Sequence, residues 1–431
     1  MKTNILLVGA LIVIAAIIVA LSFVMRPMPS DSKVQRTAAV ESKSPAPPVQ
    51  VQASAPAAVT PTQPAIASVK QDLEKAFDKG LSWLMQKQLP SGSFPDLEGK
   101  DDVAFTSMAL IILGESPEPS RLKYKDTIDK GITYLTSHSQ ENGSIMDAGK
   151  NPSFDIYKTS LGIVALKTLL PYCADEMKKK SDDAVAKAVD YLQKCQYGPE
   201  SGDKDEGGWG YKEKEGEKTP STNLSTTVYV LDALNKSGLP KDSETYKHAI
   251  DFLMKCQDSS EYNKYRATTN SGGFAYSPVE SKAGEETTPD GKKILKPYGS
   301  MTYAGLLSFI YAYVDKNDPR VQSAYNWIRG KYNLDENPGL RTDAAPQLGK
   351  QGLFYYYHTF AKALSVYGEK KLVTTDNKEH LWAEDLVRKL AAIQSADGSW
   401  KNENSRWWED MPLLATSYSL MSLNICRKWV E

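Results

Sequence analysis

The chain has 431 residues, a formal net charge of −1, and 41% apolar and 24% charged residues. This length allows one large domain or two ordinary ones, and the composition is that of a globular protein. The balanced charge gives no field that would attract a polyanion, so we predict no nucleic-acid partner. Four cysteines lack CxxC spacing, which argues against a zinc cluster or a disulfide framework.

The first predicted element is an apolar run of 21 residues at positions 5–25. As a helix it would be roughly 31 Å long, close to the hydrocarbon core of a bilayer at about 30 Å. Signal-peptide cores are shorter, about 7–15 residues. We therefore predict that residues 1–28 form a transmembrane signal anchor, with cleavage near Ala20 or Ser22 as the alternative. Flanking charges do not fix the orientation, but a short tail before a large domain favours an extracytoplasmic or periplasmic domain on a single-pass anchor.

A low-complexity segment follows the anchor. Residues 29–68 are rich in Ala, Pro, Ser, Gln and Val, with prolines at 45, 47, 48, 56, 61 and 64. Such a segment cannot bury enough apolar surface to fold, so it is predicted to be a disordered tether. The folded domain is predicted to span residues 69–431.

That domain repeats a pattern of helix, glycine-rich loop and helix. In the first helix of each pair, apolar residues recur at three and four positions and form one buried stripe. These helices are predicted at Leu73–Gln88, Tyr124–Ser139, Asp183–Gln196, Tyr246–Gln257, Val321–Tyr332 and Trp382–Gln394. Most of them end in a Gln close to a Gly and an aromatic residue, as in Gln394, Gly398 and Trp400.

The second helix of each pair begins with Thr and is apolar on more than one face, as a buried inner helix must be. The six threonines are Thr106, Thr159, Thr226, Thr302, Thr359 and Thr416. Repeats that cannot bury their inner face alone must stack on their neighbours. The sequence therefore predicts an all-α fold, an α/α toroid of six helical hairpins with twelve helices.

The repeat resembles a known family, the prenyltransferase and squalene oxidase repeat proteins. The Gln-x-x-x-Gly-x-Trp element at 394–400 resembles squalene and oxidosqualene cyclases. Gly-Gly-Phe at 272–274 and Tyr-His-Thr at 357–359 resemble the β subunits of protein prenyltransferases. The resemblance covers most of residues 71–431. It implies a toroid whose apolar central cavity holds an isoprenoid or another lipid.

The cyclases carry Asp-x-Asp-Asp just before the Thr position, and the middle Asp is the general acid. This chain keeps the first Asp twice, as Asp102 and Asp155, but the other two are replaced. We treat Asp102 and Asp155 as candidate acids or cation-stabilising groups. The alternative is that each only caps its helix or favours the helix dipole.

The prenyltransferases hold zinc with an Asp and a Cys ahead of one inner helix and a His at the next. His358 matches the His, whereas Tyr298 and Ser300 stand where the Asp and Cys would be. Without the carboxylate and thiolate a zinc site is not expected, so we predict no metal and no other cofactor. His358 is then a candidate cavity residue, or a hydrogen-bonding member of an aromatic cluster.

Aromatic residues are concentrated in the loops and at the starts of the inner helices. Their ring faces can stabilise a carbocation by roughly 0.5–2 kcal/mol each. The predicted substrate-binding set is Trp209, Tyr211, Phe274, Tyr276, Tyr298, Tyr303, Tyr355, Tyr356, Trp400, Trp407 and Trp408. The alternative is that each of them packs a loop onto the rim. The carboxylates of Glu409 and Asp410 beside the two tryptophans suggest an exposed acidic loop.

Three functions remain open. The first is a membrane-anchored isoprenoid-handling enzyme, a cyclase or a transferase. The second is a non-catalytic toroid that binds a lipid or a protein, which the incomplete motifs favour. The third and weaker one is a carbohydrate-active toroid, in which two of Asp102, Asp155 and Glu409 would lie within roughly 5–10 Å of each other.

Overall fold

A computed structural model describes residues 64–147, 154–213 and 222–430, with side chains from Val69 onward. The predicted anchor and nearly all of the predicted tether lie outside the described residues. The first helix begins at Pro64, ahead of the predicted start of the domain at 69. No helix in the described part of the chain is both long and apolar enough to cross a membrane.

The described residues form thirteen α-helices and six short strands. The helices are α1 (Pro64–Met85), α2 (Val103–Glu115), α3 (Glu118–Lys123), α4 (Lys125–Ser137), α5 (Asp155–Leu169), α6 (Asp175–Lys194), α7 (Leu224–Ser237), α8 (Glu244–Cys256), α9 (Gly299–Tyr311), α10 (Pro319–Gly330), α11 (Leu353–Tyr367), α12 (Trp382–Ala392) and α13 (Pro412–Arg427). The strands form three antiparallel pairs: β1 (Phe94–Pro95) with β2 (Asp101–Asp102), β3 (Glu285–Thr287) with β4 (Lys293–Leu295), and β5 (Leu372–Val373) with β6 (Glu379–His380).

The helices form two concentric rings. The inner ring is α2, α5, α7, α9, α11 and α13, each packed on the next, and α13 packs against α2 and closes the ring. The outer ring is α1, α4, α6, α8, α10 and α12, and α12 packs against α1. The predicted α/α toroid of six hairpins is confirmed, and the short helix α3 is the one addition to the predicted twelve.

Burial distinguishes the two rings. Inner helix α2 buries ten of its thirteen residues, whereas outer helix α4 buries five, all on one stripe. This difference follows from the sequence, because an inner helix touches neighbours on all sides and an outer helix has one face in water. Three of the cysteines, Cys195, Cys256 and Cys426, are buried in this packing.

The repeated Gln joins one hairpin to the next. In Gln196, Nε2 donates to the Gly207 carbonyl of its own loop and to the Thr245 carbonyl of outer helix α8, both at 2.9 Å. Gln88, Gln257 and Gln394 make the same pair of bonds in their own repeats. For Gln394 the second acceptor is Ala76 on α1, at 2.9 Å, so this bond closes the ring.

The repeated Thr fixes the loop to the inner helix. The Thr416 hydroxyl accepts the backbone N–H of Trp400 at 3.0 Å, and Thr106, Thr159 and Thr302 act alike. In the third repeat, however, Trp209 N–H donates to Thr227, at 3.3 Å, and not to Thr226. The predicted alignment of that repeat on Thr226 is therefore wrong by one residue, because two threonines are adjacent and the sequence does not distinguish them.

Candidate functional site

A cavity of about 640 Å³ lies at the centre of the toroid, where the N-terminal ends of the inner helices meet. Each inner helix or the residue just before it contributes to its wall, and four loops complete it. The volume is that of a typical small-molecule site, about 300–1,000 Å³. The toroid thus encloses a single shared space at one end of its inner ring.

The wall of this cavity is mainly aromatic. Six residues of the predicted substrate-binding set line it: Tyr211, Tyr276, Tyr298, Tyr355, Trp407 and Trp408. The prediction missed five more aromatic residues: Phe105, Phe154, Tyr157, Tyr229 and Tyr418. Ala104, Met108, Leu161, Met301 and Leu414 add apolar surface. Such a wall suits an apolar ligand.

The other five residues of the predicted set lie outside the cavity wall: Trp209, Phe274, Tyr303, Tyr356 and Trp400. All are buried. Trp209 and Trp400 each donate their indole N–H to a carbonyl of the preceding outer helix, Leu192 at 2.7 Å and Leu390 at 2.8 Å. Trp209 and Trp400 therefore hold their repeat loops against the rings, which is the packing role that the sequence left open, whereas Tyr303 and Tyr356 are buried within inner helices α9 and α11.

One position of the repeat lines the cavity in most of the hairpins. The residue two before the Thr that fixes the loop lines the cavity in five of the six repeats: Ala104, Tyr157, Ser225, Ser300 and Leu414. The residue four before each predicted Thr, where the candidates Asp102 and Asp155 lie, lines the cavity only at Asp102, Tyr298 and Tyr355. Helical periodicity measured from the Thr would have found this face.

The tyrosines of the wall are neutral hydrogen-bonding groups. The Tyr211 and Tyr276 hydroxyls bond each other, and the Tyr157 hydroxyl bonds Ser225. Burial raises the pKa of Tyr157 and Tyr229 well above the ordinary value of a phenol. The rings of these two tyrosines are therefore uncharged.

Asp102 lines the cavity and is part of an ion-pair cluster. It caps α2 by accepting the Phe105 N–H at 2.9 Å, and Lys158 Nζ lies 2.8 Å from its Oδ2. The same ammonium group lies 2.5 Å from Asp147, which also accepts the Tyr134 hydroxyl at 2.7 Å. Burial alone would lower the pKa of Lys158, but the two carboxylates outweigh it and raise that pKa. Lys158 is thus a charged ammonium group between two acids.

Asp155 does not line the cavity, although the sequence pairs it with Asp102. Its carboxylate accepts the Tyr191 hydroxyl at 3.1 Å and the backbone N–H of Glu213 at 3.2 Å. These partners lie on outer helix α6 and in the loop after it. Burial raises the pKa of this carboxyl group above its ordinary value. The structure therefore separates the two aspartates: one contacts the cavity, and the other joins α5 to its outer partner.

His358 lies deeper in the ring, away from the main cavity. Its ring stacks on Tyr418 with the centroids 5.7 Å apart, and it borders a space of about 20 Å³ next to the Asp232–Lys362 ion pair. Burial, reinforced by Lys362, lowers its pKa to about 3, so the imidazole is neutral. Among the described residues no group of three or more His, Cys, Asp or Glu side chains is arranged to hold a metal ion.

Glu409 is a cavity residue that the sequence analysis assigned to an exposed loop. That interpretation is wrong, because Glu409 is 1% exposed. Its carboxylate accepts the backbone N–H groups of Phe354 at 3.0 Å and Tyr355 at 2.7 Å, at the start of α11, and the Asn402 amide at 2.8 Å. Burial raises its pKa to about 7. No sequence signal marks this role, because the contacts span two repeats.

Comparison with solved structures identifies the fold. The chain is similar to type II terpene cyclase MstE from Scytonema, with its substrate geranylgeranyl dihydroxybenzoate bound, at a TM-score of 0.50 and 11% identity over 84% of this chain and 99% of that one. The GH76A α-1,6-mannanase from Salegentibacter sp. HEL1_6 is equally similar, at 0.50 and 14% identity over 84% and 100%. No family model and no curated protein matches the sequence. At these identities the likeness establishes a toroid shared by terpene cyclases and glycosidases, and nothing narrower.

Proposed function

We propose that this toroid binds an isoprenoid or another elongated apolar molecule in its central cavity. The observation that carries the proposal is the wall itself, eleven aromatic side chains with six aliphatic or thioether ones around about 640 Å³. Enclosure by apolar surface provides about 25 cal/mol for each Å² that the ligand buries. A terpene cyclase of the same fold binds a geranylgeranyl substrate, which supports this class of ligand.

Proton-initiated cyclisation has weaker support than binding. That reaction needs a carboxylic acid that gives its proton to the substrate. Both oxygens of Asp102 already have partners, Lys158 Nζ at 2.8 Å and the Phe105 N–H at 2.9 Å. Glu409 has the raised pKa of an acid, but its oxygens accept three N–H groups. We therefore propose ligand binding as the function. If the protein also catalyses an acid-dependent reaction, Glu409 is the proposed proton donor.

A titration of the full chain in detergent with geranylgeraniol tests the proposal. Trp407 and Trp408 line the cavity, so their fluorescence should change as the ligand enters. We expect saturable binding that is lost in Ala104→Trp, which fills the cavity, and kept in Ala174→Trp, where the residue is exposed. No saturation, or equal binding by both variants, would refute the proposal.

We also propose that residues 1–28 anchor the domain to a membrane with the domain on the extracytoplasmic side. The support is the 21-residue apolar run alone. The test is whether the full chain stays in the membrane pellet after alkaline extraction. Release of the intact chain into the supernatant would end this part of the proposal.

One observation favours a second candidate, a glycoside hydrolase. Two carboxyl groups with different surroundings line one cavity. Asp102 lies beside Lys158, and burial raises the pKa of Glu409 to about 7. Glycosidases pair an ionised and a protonated carboxyl group in this way. Release of mannose from an α-1,6-mannan by the wild type, and its loss in Glu409→Gln, would support this candidate. A wild type that releases no mannose would exclude this substrate.

A further inference from the structure

The charged groups around the cavity are mostly acidic. The charged side chains of the wall and mouth are Asp96, Glu98, Asp102, Lys158, Lys282 and Glu409. Their ion-pair partners outside the wall are Lys100, Asp147 and Glu280. This set holds six carboxyl groups and three ammonium groups. Among the described residues the cavity therefore has an excess of negative charge even when Glu409 is protonated and the exposed Arg406 beside Trp407 is counted.

The two lysines of the wall are already in ion pairs with carboxylates, so neither offers an unpaired positive charge to an anionic ligand. Lys158 is shared by Asp102 at 2.8 Å and Asp147 at 2.5 Å, so this trio is negative as a whole. Lys282 is paired with Glu280 at the mouth. A diphosphate needs several ammonium or guanidinium groups with unused hydrogen-bond donors. The described wall does not supply them.

The aromatic wall, in contrast, already accepts cations. Lys282 Nζ lies 4.3 Å from the ring centroid of Tyr276, and the guanidinium carbon of the exposed Arg406 lies 5.5 Å from that of Trp407. Both rings line the cavity. A cation within about 6 Å of a ring centroid is attracted by the negative face of the ring. The rings of the same wall other than Tyr276 and Trp407 offer this cation–ring interaction to a ligand.

We propose, resting on the function proposed above, that the ligand of this cavity carries a positively charged group. A protonated amine or a quaternary ammonium at one end of an apolar chain fits both the ring faces and the excess of carboxylates. The apolar chain occupies the inner wall, and the cation lies near Asp102, where the acidic groups of the cavity and the ring of Tyr157 line the same space.

Three ligands with one apolar chain test this inference: geranylgeranylamine, geranylgeraniol and geranylgeranyl diphosphate, each titrated against the full chain in detergent. The amine should bind about tenfold tighter than the alcohol. The diphosphate should bind more weakly than either. Equal binding of amine and alcohol, or tightest binding of the diphosphate, overturns the inference and leaves the lipid cavity standing. Binding of none of the three refutes both.

A variant tests whether the cation of the ligand lies near Asp102. Asp102→Asn keeps a good helix cap but removes one carboxylate from the wall. We expect it to weaken binding of the amine about fivefold more than it weakens binding of the alcohol. The matched control is Asp126→Asn, an exposed residue on outer helix α4. An unchanged affinity for the amine in Asp102→Asn would contradict the proposed position of the cation.

Discussion

Glu409 shows at the scale of one residue how the toroid places a polar group in an apolar cavity. Its carboxylate accepts N–H groups from the first turn of α11 and from Asn402, so it replaces the partners that this helix end would otherwise lack. Burial still disfavours the charge and raises the pKa from 4.5 to about 7. Ionisation of this group therefore works against folding.

This raised pKa predicts a dependence of stability on pH. Between pH 4.5 and 7 the folded chain keeps the proton of Glu409 while the unfolded chain releases it, so the free energy of unfolding should fall as pH rises through this range. The loss should be about 3 kcal/mol in total and level off above pH 7. Denaturant titrations at several pH values measure it.

The comparison of two variants isolates the contribution of this residue. Glu409→Gln should remove this slope, whereas Asp410→Asn, which changes the exposed neighbour, should keep it. A slope that persists in Glu409→Gln would show that another group causes it.

At the scale of one element, the glycine of each repeat loop determines how closely the loop approaches the next outer helix. Gly207 has φ of +87°, and a Cβ there would lie 2.0 Å from the His248 carbonyl oxygen on α8. Gly238, just after α7, is in the left-handed conformation with φ of +81° and ψ of +29°, and no atom lies within 4 Å of such a Cβ. Both glycines have a positive φ, but only Gly207 lies against a neighbouring helix.

We expect Gly238→Ala to lower the free energy of unfolding by about 1 kcal/mol, which is the cost of the left-handed conformation for alanine. Gly207→Ala should cost about 2–4 kcal/mol, because steric overlap with α8 adds to that strain. Chemical denaturation of both variants measures the difference. Equal losses would mean that the loop moves away from α8 at no cost.

The elements also show what the sequence could predict. Helix pairs, the Gln-Gly-aromatic loop and the Thr that follows it are local signals with a fixed spacing, so they identify the toroid and its six repeats. Predicting the cavity wall needed one further step, which was to read the position two residues before each Thr, where five residues of the wall lie. The roles of Lys158 and Glu409 were not predictable, because their partners Asp147 and Tyr355 lie in other loops and repeats.

At the scale of the whole described domain, the helices form a closed ring, which distinguishes it from an open stack of repeats. Gln394 links the last loop to Ala76 on α1, and the Asn424 side chain donates to the Ile112 carbonyl at 2.9 Å, from the last inner helix to the first. An open stack can unfold from its ends. A ring has no ends, so its six hairpins should unfold together.

Two variants of the repeated Gln test this closure. Gln394→Ala and Gln257→Ala each remove two hydrogen bonds of the same kind, one at the closure and one inside the chain. We expect both to lower the free energy of unfolding by about 2–3 kcal/mol in a single transition. A separate early transition in Gln394→Ala alone would show that the ring behaves as an open stack.

The ring encloses the cavity, so the central claim is that this cavity holds an apolar ligand. Native mass spectrometry of the full chain, extracted in mild detergent from the cells that make it, tests this most directly. We predict a bound species that carries the added mass of one apolar molecule, and its loss in Ala104→Trp. The exposed Ala174→Trp variant should retain it. A wild-type spectrum with the bare chain alone, or an added mass that survives in Ala104→Trp, would contradict the account.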